Sequence, residues 1–149
     1  MDEVSLRPAT ESDLDFLWRL HRATMRDYVD QTWSWQDADQ ERRFRHKFKP
    51  ERFQIVLCRG EAIGALSVDD DCSRVFLSII EITPEYQRRG IGACLIRQLC
   101  DQADTANVPL ELQVLKVNPA KGLYERLGLA TIGETDTHYL MRRPAADRT

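Results

Sequence analysis

A basic, glycine-rich turn, "QRRGIGA" at residues 87–93, carries the residues of this sequence best suited to hold an anion. Gly90 and Gly92 let a ligand approach the backbone closely because they have no Cβ atom. The turn enters a helical pattern, and the first N–H groups of a helix, with the positive end of its dipole, attract anions. Arg88 and Arg89 add charges that bind phosphate through paired hydrogen bonds. The stretch favours a phosphate or pyrophosphate site; a tight strand-to-helix connection with solvated arginines is the alternative.

Two familiar phosphate-binding loops do not fit this turn. A P-loop requires a Gly-Lys-Ser/Thr ending, which the stretch lacks. The dinucleotide fingerprint G-x-G-x-x-G begins at Gly90 and Gly92 but meets Leu95 where its third glycine is needed. The turn is therefore expected to bind an anion in another way.

Glu81 is the only ionisable residue in the apolar run "VFLSIIEI" at residues 75–82. Burying a lone carboxylate is costly unless it has a partner or a purpose. A partly buried carboxylate is suited to accept a proton, so a general base is one interpretation. A carboxylate that pairs with a neighbouring arginine, or that faces the mouth of a cleft, is the other.

The elements that hold these residues follow from hydrophobic periodicity and turn residues. The predicted order is a strand, two helices, three strands, a helix, a strand, a helix and two strands, which is typical of a mixed α/β or α+β domain. The strand before the turn is predicted over residues 74–83, the helix after it over about 90–106, and the next strand over 110–116. We expect one domain over residues 1–143 and a C-terminal tail over 144–149.

Local signals place three further features. The first helix is predicted to begin with Thr10 or Ser12 as its N-cap. One face of this helix is apolar at helical spacing and is expected to pack inward: Leu14, Leu17, Trp18 and His21. A hairpin is predicted to turn near residues 59–61, and the last helix is expected to have Asn118 as its N-cap and Pro119 as its first residue.

Composition and charge argue against several classes of function. The chain of 149 residues is 42% hydrophobic and 30% charged, which is ordinary for a soluble globular protein. A net charge of -3 gives no general attraction to nucleic acid or membrane, and no apolar stretch approaches the roughly 18 residues of a membrane helix. The four cysteines and three histidines show no metal-ligand spacing. The acidic N-terminus does not resemble a signal peptide, so we expect a cytoplasmic protein without a bound metal.

Taken together, these motifs resemble the GNAT superfamily of acyl-CoA-dependent N-acyltransferases. Residues 87–93 match its [RQ]-x-x-G-x-[GA] signature. The segments "TPEY" before the turn, "LELQVLKVN" after the next helix and "GLYERLGL" beyond it match in order and spacing, so the similarity covers residues 4–142. The resemblance implies a mixed sheet of about six to seven strands, with central strands that splay apart in a V and about four flanking helices.

The resemblance implies that the turn binds the pyrophosphate of coenzyme A and that acetyl-CoA is the acyl donor. The phosphates are expected on the backbone amides of six consecutive residues, with Gln87 nearby: Arg88, Arg89, Gly90, Ile91, Gly92 and Ala93. The pantetheine arm is expected to pair with the main chain from Ile80 to Ile82, as an added strand does. Asn118 matches a residue that contacts this arm, although helix capping explains it equally well, and its spacing to the family's tyrosine is six residues here instead of seven.

The same resemblance implies transfer of the acetyl group to a primary amine of a small molecule or a protein, by direct attack in a ternary complex. Tyr124 matches the tyrosine that protonates the leaving sulfur; an aromatic side chain packed between Leu123 and Leu127 is the alternative. Glu81 is the candidate base, because Gln113 stands where some members have a glutamate and cannot accept a proton. The competing functions are a non-catalytic acyl-CoA-binding module with the same fold, and a nucleotide-binding or protein-interaction domain that uses the same turn.

The acceptor amine is expected on the side formed by the first two helices and the last hairpin. Five residues there are candidate acceptor contacts: Tyr28, Trp33, Trp35, His138 and Tyr139. Three carboxylates are expected to attract a cationic amine: Asp27, Asp30 and Asp37. An ordinary helix connection whose aromatic residues cover the core is the alternative, and the resemblance is also compatible with a homodimer.

Overall fold

The computed structural model describes residues 3–146, and these contain seven strands in one sheet. The strands are β1 (Val4–Pro8), β2 (Gln54–Cys58), β3 (Glu61–Asp70), β4 (Val75–Ile82), β5 (Leu110–Leu115), β6 (Ala130–Glu134) and β7 (His138–Arg143). Their order across the sheet is β1-β2-β3-β4-β5-β7-β6. The β4–β5 pair is parallel, whereas β1–β2, β2–β3, β5–β7 and β6–β7 are antiparallel.

Four α-helices accompany the sheet within the same residues. They are α1 (Leu14–Thr32), α2 (Asp37–Lys47), α3 (Ile91–Ala106) and α4 (Ala120–Arg126). The predicted mixed sheet of six to seven strands with about four helices is confirmed.

The chain divides into two compact units. The N-terminal unit extends to Ser67 and takes in Ile79–Arg89, and the C-terminal unit comprises Val68–Ser78 and the chain from Gly90. The single domain expected over residues 1–143 stays a prediction. In the expected tail, the amide of Ala146 donates to Asp104 Oδ1 over 2.9 Å, while residues 147–149 lie outside the part of the chain that the structure describes.

In the N-terminal unit, α1 packs against the strands through two buried leucines. Leu17 and Leu20 share one buried cluster with Ile55 of β2 and Ala65 of β3. Six partly buried hydrophobic residues pack around this cluster: Phe16, Phe44, Phe48, Phe53, Leu57 and Ala62. Because residues three and four apart share a face of a helix, His21, four residues after Leu17 and three after Trp18, also lies toward the packed side of α1.

The start of α1 is held by an ion pair and a capping box. Thr10 is the N-cap of a short 3-10 turn, Glu11–Asp13, that leads into α1. Asp13 Oδ2 accepts the Thr10 N–H over 2.8 Å, and the Arg7 guanidinium donates to both Asp13 oxygens, over 2.9 and 2.8 Å. The Arg7 hydrogen bonds lower the pKa of Asp13 to about 2.

The hairpin between β2 and β3 turns where the sequence predicts it. Arg59 and Gly60 have φ values of 53° and 81°, and two successive positive φ values are the mark of a type I′ turn. The register of β2 and β3 then shifts, because Leu57 faces Ala62 whereas Val56 faces Gly64. Ile63 is therefore an extra residue in β3, which is a β-bulge.

In the C-terminal unit, α3 buries one face along its length. Its buried residues recur at helical spacing: Ile91, Leu95, Ile96, Leu99, Cys100 and Ala103. The parallel register pairs Val75, Phe76 and Leu77 of β4 with Leu110, Glu111 and Leu112 of β5. Arg143 of β7 donates to both carboxylate oxygens of Asp104, over 2.9 and 3.1 Å, and so fastens the end of α3 to the strand.

Candidate functional site

The glycine-rich turn presents uncapped amides at the start of α3. After β4 ends, the chain makes a 3-10 turn over Pro84–Tyr86 and then takes positive φ values at Arg88, 64°, and at Gly90, 82°. Gly90 is the N-cap of α3, and no side chain caps this helix start. The first helical hydrogen bond joins the Cys94 N–H to the Gly90 carbonyl over 3.0 Å. The preceding amides of the first turn therefore have no acceptor within the helix and are free to meet an anion.

Gly92 leaves open space above this first turn. A Cβ atom built on Gly92 would meet no protein atom within 4 Å, and its φ is not positive. Neither the packing nor the backbone conformation of the chain itself thus requires glycine at this position. A backbone without side chains beside unpaired amides is the surface that a phosphate group needs for close approach.

The polar residues of the turn have different roles. Gln87 Nε2 donates to the Ile82 carbonyl over 2.8 Å, so Gln87 ties the turn to the end of β4. The Arg89 guanidinium lies 4.8 Å from the centre of the Tyr86 ring, a cation–π arrangement. Arg88 and Arg89 are both exposed.

Glu81 is buried on β4 and is paired with a histidine of α1. Glu81 as a whole is 8% exposed, and its Oε2 lies 2.9 Å from His21 Nδ1. The side chain of His21 is 24% exposed, three times the 8% of the Glu81 side chain. The partner of Glu81 is thus an imidazole and not the arginine considered from the sequence.

Three aromatic rings surround the imidazole of His21. The Phe44 ring of α2 stacks against it at 5.4 Å, with an interplanar angle of 23°. The rings of Trp18 and Trp35 lie at 6.3 and 6.1 Å in tilted orientations, and these two tryptophans stack on each other at 6.0 Å. Because these rings restrict rotation of the imidazole, His21 is held toward Glu81.

Trp35 belongs to the packed cluster because two aspartates fix it there. Its backbone N–H donates to Asp30 Oδ1 over 2.9 Å, and its indole N–H donates to Asp37 Oδ1. Asp37 also accepts two hydrogen bonds from Arg22, over 3.1 and 2.9 Å, and these, with the indole hydrogen bond, lower its pKa to about 2. Asp30 and Asp37 therefore hold the connection between α1 and α2, which favours the packing alternative for both over attraction of a free amine.

The other two predicted acceptor contacts of the N-terminal unit, Trp33 and Tyr28, are more exposed to solvent than Trp35. Trp33 is 53% exposed, directly after the last residue of α1. Tyr28 is half-buried one helical turn earlier, and its carbonyl accepts the Thr32 hydroxyl over 3.0 Å. Trp33 is thus the tryptophan of the pair that faces solvent, whereas Trp35 is 8% exposed.

Gly64 of β3 lies directly against the backbone of Glu81. A Cβ atom on Gly64 would lie 2.5 Å from the Glu81 carbonyl oxygen and 2.8 Å from Ile82 Cδ1. No real Cβ atom tolerates such distances to backbone, so only glycine fits here. The Ile63 carbonyl next to it accepts the Thr83 N–H over 2.8 Å. The bulge in β3 therefore seats the segment of β4 that carries Glu81.

In the C-terminal unit, Tyr124 of α4 is a buried phenol. It is 7% exposed, and burial raises its pKa to about 12. The phenol therefore stays protonated at neutral pH and can act as a donor. Both interpretations of Tyr124 agree with this burial, because a packed side chain can also carry a reactive hydroxyl.

The α4 helix begins one residue later than the sequence predicts. The helix begins at Ala120, and Asn118 Oδ1 accepts the Ala120 N–H over 2.9 Å. Pro119, expected as the first helical residue, is the flanking residue instead. Pro119 is the N-cap, so the predicted N-cap position of Asn118 is wrong by one residue, although its side-chain oxygen still satisfies the first helical amide and its NH2 group can meet a ligand.

The last hairpin places Tyr139 between two lysines. The ammonium groups of Lys116 and Lys121 lie 5.3 and 4.8 Å from the centre of the Tyr139 ring. His138 Nδ1 lies 2.8 Å from the Thr137 hydroxyl. Each lysine also has a carboxylate partner, Glu134 at 3.4 Å and Glu125 at 3.7 Å, so the local charge is balanced.

His21 is the residue that the sequence gives no reason to select. Its spacing on the apolar face of α1 indicates packing, and in part it does pack. Its partner stands sixty positions further along the chain. Such a pairing leaves no signal in a single sequence, because the side-chain contact depends on how α1 and β4 meet in the fold.

The described residues contain neither a membrane-spanning helix nor a cluster of metal ligands. Within residues 3–146, no helix is both long and apolar enough to cross a bilayer. In the same residues, no group of three or more His, Cys, Asp or Glu side chains is arranged to hold a metal ion.

Comparison with known proteins identifies the family. Residues 15–129 match the family model described as "Acetyltransferase (GNAT) family", and the chain belongs to this family. No curated protein sequence matches the chain.

Solved structures show the same fold at low sequence identity. The PaiA N-acetyltransferase from Thermoplasma acidophilum, crystallised with coenzyme A, superposes with a TM-score of 0.76 at 16% identity, covering 95% of this chain and 99% of that one. An acetyltransferase from Thermus thermophilus gives 0.73 at 21% identity, covering 97% and 99%. The ribosomal-protein-S18-alanine N-acetyltransferase from Escherichia coli gives 0.70 at 21% identity, covering 99% and 97%. At these identities the likeness establishes the fold.

Proposed function

We propose that this protein is an N-acetyltransferase that moves the acetyl group of acetyl-CoA to a primary amine by direct attack in a ternary complex. The observation that carries the proposal is the uncapped start of α3, where Gly92 leaves open space beside unpaired amides. Membership of the acetyltransferase family supports it, as does the relative that was crystallised with coenzyme A.

The donor is proposed to bind along the turn and the strand before it. The pyrophosphate lies on the amides of residues 88–93, next to the open space at Gly92. The pantetheine arm lies along the main chain from Ile80 to Ile82. Asn118 contributes through its amide NH2, since its oxygen is already engaged by the Ala120 N–H.

The leaving sulfur is proposed to be stabilised by Tyr124. Burial raises the pKa of this phenol to about 12, whereas a free thiol has a pKa of about 8.5. The phenol is therefore the weaker acid of the two. It acts chiefly as a hydrogen-bond donor that strengthens as negative charge develops on sulfur.

The acceptor amine is proposed to lose its proton to the buried carboxylate of Glu81, directly or through the group bonded to it. A lysine-like ammonium has a pKa of about 10 and cannot attack until a proton is removed. The exposed ring of Trp33, with Tyr28, His138 and Tyr139, is proposed to contact the acceptor. Trp35 is proposed to shape this region from within the packed cluster.

The test is an acceptor screen that measures release of free thiol from acetyl-CoA with a panel of primary amines, together with calorimetry against coenzyme A, ATP and NAD. We expect amine-dependent thiol release and binding of coenzyme A in preference to the two nucleotides. Binding of coenzyme A without amine-dependent release would favour the non-catalytic acyl-CoA-binding module. Absence of coenzyme A binding would contradict both functions.

Gly92→Glu provides the matching variant for the donor site. A side chain with negative charge fills the open space and repels phosphate, so we expect the dissociation constant of coenzyme A to rise about a hundredfold or more. The melting temperature should change little, because no protein atom meets the new Cβ atom. Gln98→Glu, an exposed position on the same helix with the same added charge, is the control and should bind coenzyme A nearly as the wild type does.

A further inference from the structure

We infer that His21 is the group that takes the proton from the acceptor amine, and that Glu81 holds its imidazole in the reactive tautomer. The inference rests on the acetyl transfer proposed above and assigns the proton-accepting atom within it. It makes His21 Nε2 the general base and Glu81 a positioning residue.

The first reason is the direction of the hydrogen bond. The atom of His21 that meets Glu81 is Nδ1, at 2.9 Å from Oε2. A carboxylate only accepts hydrogen bonds, so Nδ1 donates and carries the ring proton. In a neutral imidazole the other nitrogen, Nε2, then has a free lone pair. This is the arrangement in which a carboxylate fixes a histidine as a base.

The second reason is access. The side chain of Glu81 is 8% exposed, whereas that of His21 is 24% exposed. A proton acceptor must come within hydrogen-bond reach of the amine and must return its proton to solvent. Of the two groups, the imidazole therefore has the larger exposed fraction and is the more accessible to an incoming amine and to water.

The third reason is rigidity. Trp18 of the same helix, Phe44 of α2 and Trp35 of the connecting segment contact the imidazole with ring centres at 5.4 to 6.3 Å. On the strand side, the backbone of Glu81 is fixed by its close approach to Gly64. Both partners are therefore held in place, as a preorganised catalytic pair requires.

Glu81 is the carboxylate that is hydrogen-bonded to the His21 imidazole, and the other charged groups close to the surrounding rings have partners of their own. The elements packed against His21 contribute aromatic rings, and the charged residues close to those rings are engaged elsewhere. Asp37, bonded to the Trp35 indole, is paired with Arg22, and Arg45, one residue after Phe44, is paired with Asp15 and Glu41. An imidazolium formed during the reaction is thus stabilised mainly by Glu81.

The proton balance of the step is complete with these groups. An ammonium and a thioester give an amide, a free thiol and one proton. His21 Nε2 takes one proton from the ammonium, which frees the nitrogen lone pair to form the C–N bond, and the C–S bond breaks with its electron pair on sulfur. One of the two protons lost by nitrogen ends on the thiol, and the other passes from His21 to solvent.

The kinetic test compares His21→Gln with His46→Gln, the same change at an exposed position of α2. We expect His21→Gln to lower kcat for an amine found in the screen about 10²- to 10⁴-fold, to remove the acidic limb of the pH–rate profile, and to leave coenzyme A binding unchanged. Glu81→Gln should retain more activity than His21→Gln, because the base is kept and only the group that positions its imidazole is lost. His46→Gln should behave as the wild type.

A second kinetic arm separates a chemical role from a packing role. In His21→Ala, added imidazoles should restore the rate, and the restored rate should rise with the basicity of the added base. Retention of the acidic limb and of kcat in His21→Gln would overturn the inference and leave Glu81 as the base. Loss of activity without any rescue, in a variant that melts well below the wild type, would assign His21 a structural role instead.

A spectroscopic arm works without an acceptor. Nitrogen NMR of the wild-type protein labelled in its histidines should show His21 with its proton on Nδ1 at neutral pH, and Glu81→Gln should disturb that tautomer. A proton on Nε2 would refute the inference even if acetyl transfer is found. Failure of coenzyme A binding, by contrast, would remove the proposed function while leaving the tautomer assignment in place.

Discussion

At the scale of single residues, Tyr124 and Glu81 share burial but differ in their partners. Glu81 is bonded to His21, and its burial is thereby compensated. Tyr124 is held as a neutral phenol, because desolvation raises its pKa to about 12. In the proposed reaction, the neutral phenol of α4 would serve as the hydrogen-bond donor and the imidazole–carboxylate pair of the N-terminal unit as the base.

Removal of the Tyr124 hydroxyl tests the donor role. We expect Tyr124→Phe to lower kcat by about ten- to a hundredfold, since a hydrogen bond to a developing charge is worth about 1.5–3 kcal/mol. The dissociation constant of coenzyme A should stay within about twofold, because the ring is kept. The two values come from steady-state kinetics and calorimetry on the same preparation. Unchanged turnover would favour the packed aromatic and leave the sulfur without a side-chain donor.

At the scale of elements, the start of α1 depends on the Arg7–Asp13 pair. Asp13 accepts hydrogen bonds from Arg7 and from the Thr10 amide, and its pKa is lowered to about 2. A carboxylate whose folded pKa is depressed stabilises the fold above its unfolded pKa of about 4, and this contribution is lost as the pH falls through 2.

Asp13→Asn is therefore expected to lower the free energy of unfolding by about 1 kcal/mol at pH 7. This loss is smaller than the free energy that corresponds to the full pKa shift, because the Arg7 side chain is 40% exposed and solvent screens the pair. The difference from the wild type should shrink between pH 4 and pH 2. Chemical denaturation at several pH values measures it, with Asp39→Asn, in an exposed ion pair on α2, as the control that should show almost no effect. A difference that stays constant down to pH 2 would contradict the assignment.

The bulge in β3 is the second element with a testable consequence. Gly64→Ala places a Cβ atom 2.5 Å from the Glu81 carbonyl oxygen, so β4 must shift. We expect a loss of about 1–3 kcal/mol in stability, typical of overpacking, and a fall in kcat larger than any change in coenzyme A affinity. Gly133→Ala, where the nearest atom lies 3.4 Å away on a leucine side chain, is the milder control. If the two variants lowered kcat equally, the close packing at Gly64 would have no specific influence on the candidate site.

At the scale of the whole molecule, the burial of Tyr124 should make the free energy of unfolding depend on pH in the alkaline range. Its folded pKa of about 12 lies above the ordinary value of 10, so the unfolded chain gives up this proton first as the pH rises. The corresponding stability is fully present below pH 10 and is lost as the pH rises toward 12, in an amount of up to about 2 kcal/mol. Tyr124→Phe should lack this component, so its free energy of unfolding should fall less steeply than that of the wild type over this range.

The sequence predicts the parts of the molecule that local chemistry decides. The Arg59–Gly60 turn, the helix α3 and the glycine-rich entry to that helix follow from residues within a few positions of one another. Hydrophobic periodicity also predicts the order of the elements along the chain, and the family resemblance added the mixed sheet that they form. Features decided by distant contacts were not accessible, among them the bond from His21 to Glu81 and the ion pair of Arg22 with Asp37. Both need the fold before they can be identified.

The contrast between Gly64 and Gly92 has a consequence for how the chain tolerates change. One glycine is crowded by backbone, and the other faces open space. If every amino acid is tried at both positions, and each variant is scored once for cellular abundance and once for turnover, position 64 should fail both assays. Bulky or acidic residues at position 92 should pass the first and fail the second. The same residue type would then mark, within thirty positions, one place where folding sets the limit and one where ligand binding does.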